Sequence, residues 1–333
     1  MKDRLRGNAV VGQSGGPTAA INATLAGVIK GALECDAIKT LYGMRNGVEG
    51  LLEERLVDLT KYFENDELIT KLENTPAAAL GSCRKKMKSP EVEPETYEKL
   101  LEIFKKYNIR YFFYNGGNDS MDTCNKISKF MQKSGYEMRV MGVPKTIDND
   151  LFGTDHCPGY GSAAKYVATS TMEVYHDARV YDTGMVTVLE VMGRHAGYIA
   201  LNCGIAAGAT AIAVPEVSIT VDEIVKKIED ARNTGKKHFV IVVAEGVGGV
   251  EEMAKEIETR TGIESRATVL GHVQRGGTPT VRDRLRATQM ANAAVHLLAN
   301  GIGNRVVAYK DNQIVDYDIF EALNMTKEFE FET

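Results

Sequence analysis

The feature that most restricts the fold is an alternation that runs the length of the chain. Short β-branched or aromatic runs recur at Ala9 to Gly12, Ile38 to Tyr42, Ile109 to Tyr114, Met138 to Val143, Met185 to Val191, Ala211 to Val214, His238 to Ala244 and Arg305 to Tyr309. Each is short enough for a buried strand. Between them lie stretches with apolar residues at three- and four-residue spacing, the helical period: Thr18 to Leu33, Glu95 to Lys106, Ser120 to Lys133, Ser162 to Tyr175, Val221 to Thr234, Glu251 to Thr261 and Val281 to Ala299. Strand then helix, repeated, predicts an α/β fold with mostly parallel sheets, because parallel neighbours need a crossover long enough to hold a helix. At roughly 100 to 200 residues per domain, the 333 residues suggest two domains.

Composition removes several function classes. Hydrophobic residues make up 44% and charged residues 26%, ordinary globular usage far from disordered or collagenous chains. The formal charge of -5 provides no whole-molecule attraction for nucleic acid or an anionic membrane, so anion binding must be local. The five cysteines are scattered without CxxC spacing, which suggests neither a disulfide framework nor a zinc cage and fits a reducing cytoplasm. The start, MKDRLRGNAVVGQ, lacks an export pattern, and no window approaches 18 uncharged apolar residues.

Glycine, asparagine, aspartate and serine concentrate just after the strands, where ligands sit in doubly wound sheets. In VVGQSGGPTAAINA, Gly15 and Gly16 permit close backbone approach and Thr18 is placed to cap a helix, an arrangement suited to phosphate and also to a plain strand-to-helix turn. FFYNGGNDSMD repeats the design: Gly116 and Gly117, then Asn118, Asp119 and Ser120 opening a helix. These last three are also preferred helix caps. PKTIDND sets Lys145, Thr146, Asp148 and Asp150 together, a combination able to supply a general base and a metal partner, with a solvated turn as the plainer alternative. VLEVMGRHAG delivers Met192, Gly193 and Arg194 to a loop, and arginine suits bidentate phosphate contact. ESRATVLGHVQRGG presents Arg266, His272 and Arg275 among glycines. There is no G-x-x-x-x-G-K-[ST] and no HExxH, so neither a P-loop nor a zincin site is expected.

In this order, SGGPTAAINA, LGSCR, GGNDS, PKTIDND, VMGR, AEG and RATVLGHVQRGG resemble the phosphofructokinase family over nearly the whole chain. The resemblance implies two Rossmann-like, three-layer α/β domains with mostly parallel sheets. We expect a phosphoryl-donor domain over 1–158 plus 274–324 and a fructose 6-phosphate domain over 159–273 plus 325–333. Carried over by position, Asp148 resembles the general base, with Thr146 and Asp150 beside it. Gly16 and Arg84 match contacts to the transferred phosphoryl group, Gly15, Gly117, Asp119 and Ser120 belong to the donor loops, and Arg194 matches a group that stabilises the transition state. Met192, Gly193, Glu245, Arg266, His272 and Arg275 match sugar-phosphate contacts. The family position of Arg266 reaches in from a neighbouring subunit, which implies a homodimer or homotetramer. Mg²⁺ is the implied cofactor, with Asn118 and Asp148 at its position.

Two residues bear on the donor. ATP-using bacterial members carry glycine where this chain has Asp119 and again where it has Lys145. A carboxylate at Asp119 would repel the α-phosphate of a nucleotide, and the Lys145 ammonium suits the end of an inorganic diphosphate, so the pair resembles the pyrophosphate-dependent subfamily. The expected activity is reversible transfer from pyrophosphate to the 1-hydroxyl of fructose 6-phosphate. The alternatives are an ATP-dependent enzyme, or a weakly active regulatory paralogue, since Asn118 stands where the subfamily has a metal-binding aspartate. Met185 replaces a further arginine of the bacterial sugar-phosphate clamp. Ala26 replaces an effector-site arginine, so little control by nucleotides or phosphoenolpyruvate is expected.

Overall fold

A computed structural model describes residues 5–327 and 329. The far end of the tail expected in the second domain, 325–333, lies partly outside the described residues, as does the start of the N-terminal stretch. By compactness the chain divides into two units, one of residues 5–146, 151–159 and 278–327, the other of residues 147–150, 160–277 and 329.

The first unit opens with β1 (Gly7–Gln13), α1 (Ile21–Leu33), β2 (Ile38–Met44), α2 (Gly47–Leu52), β3 (Leu56–Asp58), α3 (Leu59–Tyr62), α4 (Asp66–Asn74), α5 (Pro94–Lys106), β4 (Ile109–Gly116), α6 (Asn118–Lys133) and β5 (Arg139–Pro144). The second holds α7 (Tyr160–Ala178), β6 (Met185–Val191), α8 (Tyr198–Ala206), β7 (Ala211–Ala213), α9 (Val221–Asn233), β8 (His238–Ala244), α10 (Val250–Thr261), β9 (Ser265–Val269) and a 3₁₀ turn over Gly271–Arg275. The chain then returns to the first unit with α11 (Val281–Ala299), β10 (Arg305–Lys310), β11 (Gln313–Asp318) and α12 (Ile319–Ala322).

Each unit is a sheet between two helical layers, as the alternation predicts. In the first, the strand order is β11-β10-β5-β4-β1-β2-β3, parallel except for the edges β3 and β11. Period-two alternation sorts its side chains. Ala9, Val11, Tyr111, Phe113, Met141 and Val143 bury with α1 and α11, while Val10, Phe112, Tyr114 and Val140 bury with α5 and α6 on the other face. The second unit has an all-parallel sheet, β7-β8-β6-β9, sorted the same way. Leu189, Val191, Val240 and Val242 bury with α7 and α8, whereas Val186, Val188, Phe239 and Ile241 bury with α9 and α10.

The elements that periodicity misses are edges and short pieces. β3 has three residues, and β9 is half exposed. β11 is added by a two-residue hairpin in which Asp311 and Asn312 both take positive φ, 49° and 62°, as the tight turns that match strand twist require. α8 reads YIALNCGIA, apolar nearly throughout, and so shows no helical face in sequence. One expectation is corrected: Thr18 does not cap α1. The helix starts three residues later behind Ala20, and the Thr18 hydroxyl instead accepts the Ala20 N–H at 3.3 Å, which lengthens the loop beyond Gly15 and Gly16.

Candidate active site

In the first unit β1 lies between β2 and β4, so the chain winds in opposite directions on its two sides. Loops at the carboxyl ends of such neighbours splay apart and leave a crevice. The loops placed there are Ser14 to Pro17 after β1 and the start of α6 after β4. Gly15 has φ +75°, which only glycine adopts without strain, and its N–H donates to Cys83 O at 3.0 Å. At Gly116 an added Cβ would sit 1.9 Å from the Ser120 hydroxyl, so glycine is required for that hydroxyl to meet Ser14 across the crevice. Gly117 precedes the first residue of α6, leaving Asn118 and Asp119 exposed in its first turn beside backbone N–H groups that have no helical acceptor.

Lys145 follows β5 and is only 2% exposed. Its ammonium donates to Ser14 O at 2.8 Å and to Gly16 O at 2.7 Å, placing a cation beneath the glycine loop and fixing its shape. An added Cβ on Gly15 would come within 3.4 Å of that ammonium nitrogen. Asp119 meets Lys86 at 3.1 Å, and both side chains are largely exposed. Arg84 is exposed on the same segment as Lys86, at the rim of the loop that receives the Gly15 N–H. Thr146 bridges Gly159 in parallel.

The second unit collects the other set. Asp148, on the short stretch 147–150, is 7% exposed, and Arg194 Nε stands 3.7 Å from its Oδ2. Arg194 follows β6 with φ +55°, a strained value for arginine. Glu245, at the end of β8, holds that conformation: one carboxylate oxygen accepts the N–H of Arg194 at 2.6 Å and of Gly193 at 3.2 Å. Gly193 takes φ +149°, and a Cβ there would meet Ala196 O at 2.3 Å. Met192 N–H donates to the buried Gln274, whose amide in turn donates to Gly271 O, so the turn bearing His272 and Arg275 is tied to the Arg194 loop. Gln274 was not singled out in sequence, where a glutamine beside RGG reads as surface. It is 1% exposed. Glu190, on β6, has its carboxyl pushed up by burial and, secondarily, by the charge of Glu245.

His272 is exposed and Arg275 half-buried on that turn. Arg266 does not join the group around Arg194. Its guanidinium is held by Glu264 through two bonds, 2.6 and 2.9 Å, and lies over the ring of Tyr181. Among the described residues no three His, Cys, Asp or Glu side chains form a metal cage. Mg²⁺ keeps several waters and takes one or two carboxylates plus substrate phosphates. Asp148, in the second unit, carries a carboxylate of that kind, and Asn118, in the first turn of α6 in the first unit, carries a neutral amide oxygen.

The phosphofructokinase family model matches residues 8–298. A pyrophosphate–fructose 6-phosphate 1-phosphotransferase of Methylococcus capsulatus is 41% identical over 84% of the chain and 66% of its own length. An equivalently named protein of Halomonas elongata is 42% identical, again over 84% of the chain, with 67% of its own length matched. The chain thus spans about two-thirds of the length of these two relatives. An ATP-dependent 6-phosphofructokinase of Clostridioides difficile is 37% identical over 96% of the chain and 94% of its own length. Among solved structures, a pyrophosphate-dependent phosphofructokinase from Marinobacter aquaeolei superposes with a TM-score of 0.87 at 36% identity, covering 97% of this chain and 86% of that one. With its model matched over most of the sequence and its fold reproduced, the chain belongs to the phosphofructokinase family.

Proposed function

We propose that the chain is a pyrophosphate:fructose-6-phosphate 1-phosphotransferase, working in the cytoplasm as a homodimer or homotetramer. The observation that carries the choice of donor is the pair Asp119 and Lys145. Asp119 projects a carboxylate from the first turn of α6, and Lys145 supports the glycine loop from within. A nucleotide would need space and neutrality where Asp119 stands, whereas a diphosphate is short and needs cations at its end. The first unit then binds the donor and the second the sugar phosphate.

In this reading the loop at Gly15 and Gly16 and the start of α6 receive the diphosphate through backbone N–H groups. Arg84 adds charge at the transferred phosphoryl. His272, Arg275, Glu245 and, from a neighbouring copy, Arg266 hold the sugar phosphate. Asp148 takes the proton of the sugar 1-hydroxyl as that oxygen bonds to phosphorus, the bridging P–O bond breaks, and inorganic phosphate leaves. Arg194 faces the equatorial oxygens, where such transfers carry their charge. Bound Mg²⁺ supplies neutralisation of the phosphate oxygens, held near Asp148 and Asn118. Thr146 and Asp150 orient the loop around the base.

The ATP-dependent reading has its own support in a relative matched over 96% of the chain. Assaying fructose 1,6-bisphosphate formation with Mg²⁺ and either donor separates the two. Turnover with pyrophosphate alone is expected, and turnover with ATP alone would refute the Asp119 reading. Silence with both, in folded protein that still binds fructose 6-phosphate, would indicate a regulatory paralogue, and Asn118→Asp would then restore activity.

A further inference from the structure

Near the end of β4, two residues before Gly116, the Tyr114 side chain is buried and brings a phenol to the loops of the donor crevice. Its oxygen accepts the Val48 N–H, from the first turn of α2, at 3.3 Å. Cys83 Sγ stands 3.5 Å from that oxygen, and the carbonyl of the same cysteine receives the Gly15 N–H. The Ser14 side chain hydrogen-bonds to the phenol as well, and the Ser14 hydroxyl meets that of Ser120 at the start of α6. Segments at positions 14, 48 and 83 thus converge on one oxygen at position 114. Glycines make the room for it. A Cβ on Gly47, which takes φ +59°, would lie 2.8 Å from both the phenol oxygen and Cys83 Sγ, and one on Gly12 would lie 3.0 Å from the ring.

Hydrogen-bond capacity gives this chain of hydroxyls a direction. A backbone N–H can only donate, so Val48 occupies one lone pair of the phenol oxygen, and the weakly donating Cys83 thiol can take the other. Burial pushes the Tyr114 phenol well above its ordinary value of 10, so it keeps its proton and has one to give. Given to the Ser14 oxygen, that proton leaves Ser14 to donate to Ser120, and Ser120 to donate to an acceptor beyond the chain. A phosphate oxygen in the crevice is such an acceptor. We propose that Tyr114 is a positioning residue of the donor site: its hydroxyl ties the loop after β1 to the Cys83 segment and sets the Ser14–Ser120 pair in the polarity that receives a phosphate. Tyr114 acts through the two serines rather than on the reacting atoms. The inference rests on the reading of the first unit as the donor side, and it applies to the phosphates of a nucleotide as well as to pyrophosphate.

Calorimetric titration of the whole protein and of Tyr114→Phe tests this, with Mg²⁺ present and pyrophosphate, ATP and fructose 6-phosphate as separate probes. Phenylalanine keeps the ring and removes only the hydroxyl. Affinity for the donor that the wild type binds should fall about three- to tenfold, the worth of one hydrogen bond, with fructose 6-phosphate affinity unchanged. In a Ser120→Ala background the same substitution should have little further effect on the donor, because both residues act through one chain. Ser14→Ala breaks that chain without touching the ring and should reproduce the donor-specific loss, which guards against misfolding of the tyrosine variant. Wild-type donor affinity in Tyr114→Phe would overturn the proposal. So would an equal loss for fructose 6-phosphate, the mark of a purely structural role, or losses that add in full with Ser120→Ala. A wild type that binds ATP and not pyrophosphate would refute the donor assignment and leave this comparison standing on ATP. Binding of neither up to about 10 mM, where even millimolar affinity is visible, would overturn the proposal outright.

Discussion

Lys145 and Arg194 are both cations beside glycine-bearing loops at the carboxyl ends of strands, yet the structure treats them oppositely. Lys145 is buried, and its ammonium is spent on the carbonyls of Ser14 and Gly16. Arg194 is exposed at its guanidinium, and what is held is its backbone, by Glu245. A buried cation must satisfy its donors within the protein, so Lys145 shapes its loop and contributes a fixed field. Arg194, fixed at its backbone by Glu245, keeps an exposed guanidinium whose one ion pair among the described residues is the 3.7 Å contact of Nε with Asp148. The first device holds a loop, and the second suits the catalytic role proposed for Arg194.

The sharpest test of that division removes the proposed base beside Arg194. Asp148→Ser is expected to lower kcat by about 10²–10⁴-fold while sparing fructose 6-phosphate affinity in a direct titration; intact turnover would remove Asp148 as the base. Next, Arg194→Ala should lower kcat by about 10²–10³-fold with unfolding free energy changed by no more than about 0.5 kcal/mol. A larger loss in urea denaturation would make Arg194 structural and erase the contrast. Lys145→Met should behave in the opposite way, costing about 2–3 kcal/mol because two loop carbonyls lose a charged donor. If its stability matches wild type, the ammonium does not hold the loop.

The smallest effect concerns Glu190. Its carboxyl is raised by burial and then by Glu245, so the folded state binds that proton more tightly than the unfolded chain does. Below the ordinary value of 4.5 both states are protonated and the group is neutral to stability. As pH rises past 4.5 the unfolded chain ionises first, and stability is lost until the raised value is passed. Glu190→Gln should therefore raise the melting temperature at pH 7 and leave it unchanged at pH 4. An equal gain at both would mean that packing, not ionisation, is responsible.

Much of this was legible without coordinates, and the failures have particular causes. The buried strands from Ala9 to Gly12 and Ile109 to Tyr114 announce themselves because both faces must be apolar. β9 does not, because SRATV is an edge with one side wet. Thr18 looks like a cap because caps are chosen by residue type, but the turn geometry of the glycine loop delays α1 to Ile21. Gln274 and Glu245 illustrate the same limit at the site. Their hydrogen bonds to Met192, Gly193 and Arg194 span 51 to 82 positions.

Local rules act between near neighbours, and periodicity, glycine placement and the order of polar motifs are local. These determined the α/β alternation, the glycine-bearing loops after the strands and the family resemblance. Which cations are spent and which are free is a matter of distance between remote segments. Only the tertiary structure decided that Lys145 lies beneath its loop, that Arg194 stands by Asp148, and that Arg266 is held by Glu264 away from them. Burial and electrostatics depend on what surrounds a group in three dimensions, and the chain order does not contain that information in any short window.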